Sequence, residues 1–212
     1  MTNDVQILNN GYPMPAVGLG VYKIADEQME EVVRTALDAG YRAFDTAYFY
    51  GNEKALGSAL KHSNVERDEL FITSKLWNDY QGYDQTIEYF NKSLDNLGLD
   101  YLDLFLIHWP CENDQLYIES YKALEHLYEE GKIKAIGVCN FKIHHLEKLM
   151  KETKITPQVN QIELHPYFNQ QDVQDFCDEH DIKVTASMPL MRNKGLLDDP
   201  VITDIAHRYD KT

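Results

Sequence analysis

Asp45, Tyr50, Lys75 and His108 are an acid, a phenol, an amine and an imidazole, each at or just after the carboxyl end of a short apolar run. The runs cover residues 41–44, 70–74 and 102–107 and are short enough to read as buried strands. In a sheet of strand–helix repeats, the loops at the carboxyl ends of the strands form the ligand site, so the four groups are expected to meet there. Together they suit acid–base work on an oxygen atom. A tyrosine, with a pKa of about 10, becomes an effective acid near neutrality when a cation stabilises its phenolate. Lys75 can supply that charge, Asp45 at the neighbouring strand end can hold the ammonium in place, and His108 can donate a hydrogen bond to a carbonyl. Taken singly, each also has an ordinary reading: an ion pair, core filler, or a satisfied strand-end histidine.

The elements that must position these groups alternate regularly. VQILN and PAVGL flank Asn10-Gly11, a pair that readily takes positive backbone angles, and predict a hairpin over about residues 5–20 that plugs one end of the fold. Met29, Val32, Val33, Ala36 and Leu37 keep helical spacing up to Gly40. The same grammar returns with Ile87, Phe90, Leu94 and Leu97 before Gly98, and with Tyr121, Leu124 and Tyr128 before Gly131. AIGVC, QVNQI and KVTAS read as later strands. Helices are expected around Ile143, Leu146, Leu149 and Met150, around Val173, Phe176 and Cys177, and around Val201, Ile205 and Tyr209. Parallel strands joined by right-handed helical crossovers form a closed barrel or an open doubly wound sheet. A doubly wound dinucleotide-binding sheet needs GxGxxG after its first strand, and the early Gly18-Leu19-Gly20 has no third glycine in place. Candidate residues spread instead over many strand ends, from Asp45, Lys75 and His108 to Asn140, Gln161 and Ser187, as a ring of loops around one pocket requires.

Composition narrows the classes. At 212 residues and 43% hydrophobic content the chain can bury a sizeable core, and a single domain over 1–212 is expected. A formal net charge of -15, with 35 acidic against 20 basic residues and no basic run, argues against nucleic acid as a partner. With no sorting segment at the start and no long apolar stretch, a cytoplasmic protein without membrane contact is expected. Cys111, Cys139 and Cys177 lack CxxC spacing and fit a reducing compartment. No metal site is expected: His144-His145 lies outside any HExxH pattern, and Glu163 and His165 lack further ligands. The stretch Gly137-Val138-Cys139-Asn140-Phe141 fails the GxSxG pattern of a hydrolase nucleophile.

FDTAYFYGNEKALG, FITSKLW, LGLDYLDLFLIHWP, EGKIKAIGVCNF and QVNQIELHPY resemble the aldo-keto reductase family, most closely its bacterial glyoxal and diketogluconate reductase branch, from about residue 8 to the last. The resemblance implies a (β/α)8 TIM barrel that binds NADPH, or alternatively NADH, and reduces small aldehydes or ketones. It implies Tyr50 as proton donor, Lys75 and Asp45 as the pair that tunes it, and His108 as the carbonyl-orienting residue. Cofactor contacts are implied at Val21, Tyr22, Asp45, Cys139 (where serine is usual), Asn140, Gln161, Ser187 and Leu190. The substrate walls are implied at Tyr22, Trp77, His108 and Trp109.

Two departures stand beside these matches. The family usually places a nicotinamide-stacking aromatic after its seventh strand, where this chain has Ser187 within Ala186-Ser187-Met188-Pro189-Leu190; losing a stacked ring costs on the order of 1 kcal/mol. The chain also stops before the family's eighth strand and its basic cluster for the adenosine 2′-phosphate, whereas complete barrels run to about 250 residues. The expectation is therefore a barrel truncated before the eighth strand. The full fold would be monomeric, and the shortened chain with open edges would be prone to self-association. The rival reading is a catalytically weak protein of the same fold that only binds.

Overall fold

The computed structural model describes residues 4–211, so the first three residues of the opening segment and Thr212 lie outside the described part of the expected domain. Strands β1 (Val5–Ile7) and β2 (Pro13–Pro15) pair antiparallel, with Gln6 opposite Met14 and Gly11 in the turn at a φ of 82°. The hairpin is shorter than expected. Its last recorded bond runs from Ala16 N to Asp4 O, 2.9 Å, and the chain then leaves to give β3 (Leu19–Gly20) to another sheet. Alternation in PAVGL cannot distinguish a hairpin return from a strand that pairs elsewhere, and here the backbone of Leu19 and Gly20 runs beside Phe44 and Asp45.

From β3 the chain winds through α1 (Asp26–Asp38), β4 (Ala43–Asp45), α2 (Glu53–His62), β5 (Phe71–Leu76), α3 (Tyr83–Leu97) and β6 (Leu102–Ile107). It continues with α4 (Asp114–Glu129), β7 (Ile133–Cys139), α5 (Ile143–Glu152), β8 (Val159–Glu163), α6 (Gln171–Glu179), β9 (Lys183–Ser187) and α7 (Pro200–Arg208). All pairings in this sheet are parallel, and the spatial order β3-β4-β5-β6-β7-β8-β9 equals the chain order. A doubly wound sheet would reverse its order at a switch point, so strictly sequential winding identifies the barrel alternative. Among the described residues β3 and β9 each have one neighbour and are the edges of a seven-stranded sheet.

Both faces of this sheet are buried, by different partners. Phe105 and Ile107 of β6 belong to the large apolar layer between strands and helices. Their neighbours Leu104 and Leu106 join Ala43, Phe71, Ala135, Cys139 and Val159 in a second cluster lining the barrel interior. Leu8, Tyr12 and Met14 from the hairpin pack against that interior cluster, so the hairpin does plug one end. Asn9 and Asn10 secure it, donating to the Pro157 and Lys134 carbonyls at 3.1 and 2.9 Å. The opposite, carboxyl ends of the strands are left for chemistry.

The apolar periodicity located α1, α3, α4, α5 and α6. It did not flag α2, which buries Leu56, Ala59 and Leu60 and carries Gly57 directly against α3: a Cβ there would lie 2.2 Å from the Leu97 carbonyl oxygen. The final helix ends at Arg208, one residue short of the expected Tyr209, which caps it. No helix among the described residues is long and apolar enough to cross a membrane.

Candidate active site

Side chains alternate across a strand, so neighbours on β5 serve opposite faces. Ser74 turns outward and donates to Glu53 of α2 at 2.7 Å, while Lys75, in register with interior-facing Leu106, points into the barrel and is fully buried. An ammonium in such a place needs oxygen on every side. Lys75 Nζ is paired with Asp45 Oδ1 at the end of β4, donates to the Thr46 carbonyl at 2.8 Å, and reaches the Tyr50 hydroxyl at 3.5 Å. Burial, the largest single influence, would lower its pKa, but Asp45 together with Tyr50 and Cys139 outweighs it and holds the ammonium above the usual lysine value. The tyrosine arrives by a tight route: β4 ends, residues Tyr48–Tyr50 form a 3-10 turn, and Gly51 closes it in the left-handed region at a φ of 73°.

A second arm of hydrogen bonds completes the ring. Gln161 on β8 donates through Nε2 to Asp45 Oδ2 at 2.9 Å. Asn140, just past β7 and left-handed at a φ of 62°, donates from its backbone to the Gln161 carbonyl at 2.9 Å and from Nδ2 to the His108 carbonyl at 3.0 Å. His108 follows β6 and is itself anchored by its backbone N–H to the Leu76 carbonyl at 3.0 Å. Asp45, Tyr50, Lys75, His108, Asn140 and Gln161 therefore come together at the carboxyl ends of five adjacent strands.

The titration behaviour corrects one expectation. Lys75 was expected to bring Tyr50 down toward neutrality, yet burial of the phenol is the larger influence and pushes its pKa above the ordinary tyrosine value, with Lys75 opposing it. Tyr50 is a protonated phenol at neutral pH. His108 goes the other way: burial first, then the Lys75 charge, lowers it from 6.5 to about 3, so its ring is neutral. Among the described residues its buried Nδ1 has no partner, which distinguishes it from an ordinary satisfied strand-end histidine.

Around these groups stands an aromatic wall. Tyr22 packs on Tyr50 with ring centroids 4.7 Å apart, and Trp77 meets His108 edge-on at 5.2 Å. Phe49, which the sequence reading did not single out, lies flat on Trp77 at 3.8 Å and is 49% exposed. Its only signal was its place between Tyr48 and Tyr50. The Arg192 guanidinium, also not foreseen, lies 5.6 Å from the Tyr22 ring centroid.

Other expected positions fall less centrally. Val21 is fully buried; its N–H donates to the Asp45 carbonyl at 2.9 Å and its carbonyl accepts from Asn52 at 2.9 Å, so it offers the site no free polar group. Cys139 sits in the interior cluster, where burial pushes its thiol well above the usual range. Trp109 is exposed and makes no ring contact among the described residues, although its carbonyl holds Gln81 at 2.8 Å. Ser187 ends β9 half-buried, and Leu190 is exposed beyond it.

A nicotinamide carboxamide suits the donor set. The amide nitrogens of Asn140 and Gln161 are engaged within the protein, which leaves their amide oxygens without a partner among the described residues and able to accept from a carboxamide.

Residues 16–212 match the aldo/keto reductase family. The chain belongs to that family. This aldo/keto reductase is 49% identical to a glyoxal reductase of Bacillus subtilis over 99% of its own length and 75% of the relative's. Superposed on an aldo/keto reductase from Brucella melitensis it gives a TM-score of 0.94 at 45% identity, covering 100% of this chain and 81% of the other. An aldo-keto reductase from Bombyx mori in complex with NADP gives a TM-score of 0.93 at 32% identity, covering 100% and 78%. The chain is thus an NAD(P)H-dependent oxidoreductase with the curled sheet of a (β/α)8 barrel, spanning about three quarters of the length of the B. subtilis relative.

Proposed function

We propose that this reductase converts small aldehydes or ketones to alcohols with NADPH, that Tyr50 donates the proton, and that glyoxal-type dicarbonyls are among its substrates. The observation that carries the division of labour is the opposite titration of two adjacent groups. Tyr50 keeps its proton through neutrality, so it has one to give; His108 is a neutral ring down to about 3, so it donates a hydrogen bond rather than serving as the acid.

Bound nicotinamide would supply hydride to the carbonyl carbon. As charge gathers on the carbonyl oxygen, Tyr50 transfers its phenolic proton there, and the phenolate left behind faces Lys75 at 3.5 Å. Asp45 and the Thr46 carbonyl keep that ammonium in place, so no reorientation is needed when the phenolate forms. Asn140 and Gln161 would hold the nicotinamide carboxamide through their amide oxygens. Tyr22, Trp77 and Phe49 line the approach with apolar surface and limit water at the reacting carbon.

The likeness to a glyoxal reductase and to a structure in complex with NADP supports this choice of substrate and cofactor. The test is consumption of NADPH in the presence of glyoxal, with parallel titration of tryptophan fluorescence by NADPH. Saturable quenching with carbonyl-dependent NADPH loss is expected. Quenching without turnover would establish a binding protein instead.

A further inference from the structure

Three hydrogen bonds behind the tyrosine turn converge on one side chain. Asn52 is almost completely buried, directly after Gly51 and at the start of α2. Its Nδ2 donates to the Val21 carbonyl at 2.9 Å and, at 3.4 Å, to the Ile24 carbonyl, both in the loop after β3. Its Oδ1 accepts from Thr46 Oγ1 at 3.0 Å, and the Thr46 carbonyl accepts from Lys75 at 2.8 Å. Asn52 touches no reacting group. It joins the strand-end loop that carries Tyr22 to the residue that orients the ammonium, with Tyr50 held between them.

We propose that Asn52 is a positioning residue for the Tyr50–Lys75 pair, fixing the Thr46 carbonyl so that the ammonium stays directed at the phenol oxygen. This rests on the reading of Tyr50 as proton donor. An asparagine is suited to the task because it donates and accepts at once: its amide nitrogen meets carbonyls and its oxygen meets a hydroxyl. Alanine would leave the Ile24 carbonyl and the Thr46 hydroxyl without a partner in a dry place and the Val21 carbonyl with only the Ile24 N–H at 3.1 Å; the Thr46 peptide, still held through its N–H to the Thr73 carbonyl at 2.9 Å, would lose its side-chain anchor and could tilt its oxygen from Lys75. The ammonium would then settle on Asp45 alone, and Tyr50 would lose part of its stabilising cation.

The neighbouring residue provides a control. Glu53, also buried, accepts from Ser74 at 2.7 Å and from Asn96 at 2.9 Å, pinning α2 to β5 and α3 without reaching Lys75. Asn96→Ala therefore loosens the same helix but not the ammonium. Tyr50 itself faces Asp45 from β4, Lys75 from β5 and Cys139 from β7, with the neutral His108 ring after β6 and the Tyr22 ring, 4.7 Å away, from the loop after β3.

The experiment is an NMR titration of ring-labelled tyrosine in the full chain, with the Tyr50 resonance assigned by its loss in Tyr50→Phe. Asn52→Ala is expected to raise the Tyr50 midpoint by about half a pH unit or more and to lower kcat about tenfold with little change in KM, since the loss falls on the proton-transfer step. Thr46→Val, which removes only the hydroxyl link and keeps the Thr46 carbonyl, should move the midpoint in the same direction and covers the case that Asn52→Ala fails to fold. Asn96→Ala should lower the melting temperature with no midpoint change. An unchanged Tyr50 midpoint in Asn52→Ala or, if that variant is unfolded, in Thr46→Val overturns the proposal. If the midpoint moves while the native chain turns over no carbonyl, Asn52 positions Tyr50 but the reductase reading fails.

Discussion

Lys75 Nζ lies 3.5 Å from the Tyr50 hydroxyl, with its remaining directions committed to the Asp45 carboxylate and the Thr46 carbonyl. The pair is asymmetric in a way that can be measured. The Lys75 side chain is 0% exposed and that of Asp45 is 25% exposed. Removing the carboxylate strands a fully buried charge, whereas removing the amine leaves a carboxylate that reaches water and still accepts from Gln161. Asp45→Ala should therefore destabilise the fold by about 3–5 kcal/mol, and Lys75→Met by about half that or less. Urea unfolding of the two variants checks the order; equal losses would contradict it.

His108 predicts an acid-side loss of stability. In the unfolded chain the ring takes up a proton near its ordinary 6.5, while in the folded chain burial and Lys75 keep it neutral to about 3. Unfolding thus binds a proton within that window, so stability fully present above 6.5 declines as the pH falls toward 3. The slope attributable to this one group is about 1.4 kcal/mol per pH unit. His108→Gln should remove that slope, visible as the difference between the two proteins' unfolding free energies from pH 6 down to pH 4. Parallel curves would mean that the ring is not held neutral.

Phe49 covers one face of Trp77, and Trp77 in turn meets His108, so the wall runs outward from the chemistry in a single line. A carbonyl compound with a flat apolar substituent can use that surface, and a two-carbon dicarbonyl is too small to do so. Phe49→Ala should lower kcat/KM for benzaldehyde about two- to tenfold while leaving glyoxal nearly unaffected. A matched fall for both compounds would place Phe49 in scaffolding alone.

Gly57 tests the packing beneath the tyrosine turn. Because a Cβ there would meet the Leu97 carbonyl at 2.2 Å, Gly57→Ala must push α2 away from α3. A loss of about 1–3 kcal/mol is expected, despite alanine's better helix propensity. A thermal midpoint at or above the parent's would show that the helices can separate freely.

Much of this arrangement was legible from residues alone, because short apolar runs ending in polar groups fix both the strand and the end at which its chemistry lies. Asp45, Lys75 and His108 were visible for that reason, and β4, β5 and β6 followed from the same runs. Tyr50 could be placed near them, but the sign of its pKa shift could not, since it depends on how much of the ring is dry against how close the ammonium comes. Leu19 and Gly20 were assigned to the hairpin because period-two patterning names a strand without naming its partner. Helix α2 was not singled out although Leu56, Ala59 and Leu60 keep helical spacing; what no local pattern could show is that its buried first residue, Glu53, is satisfied by Ser74 and Asn96 from distant parts of the chain. Asn52 and Phe49 left no periodic trace at all; only the turn that brings residues 46–53 together reveals them.

The most direct test of the account is the turnover of Tyr50→Phe beside the parent chain, with NADPH affinity followed by tryptophan fluorescence. If the phenol is the proton source, kcat for glyoxal should fall by about a hundredfold or more while NADPH binds as before. Turnover within a few-fold of the parent, at unchanged NADPH affinity, would show that the proton comes from elsewhere and would contradict the assignment of this site.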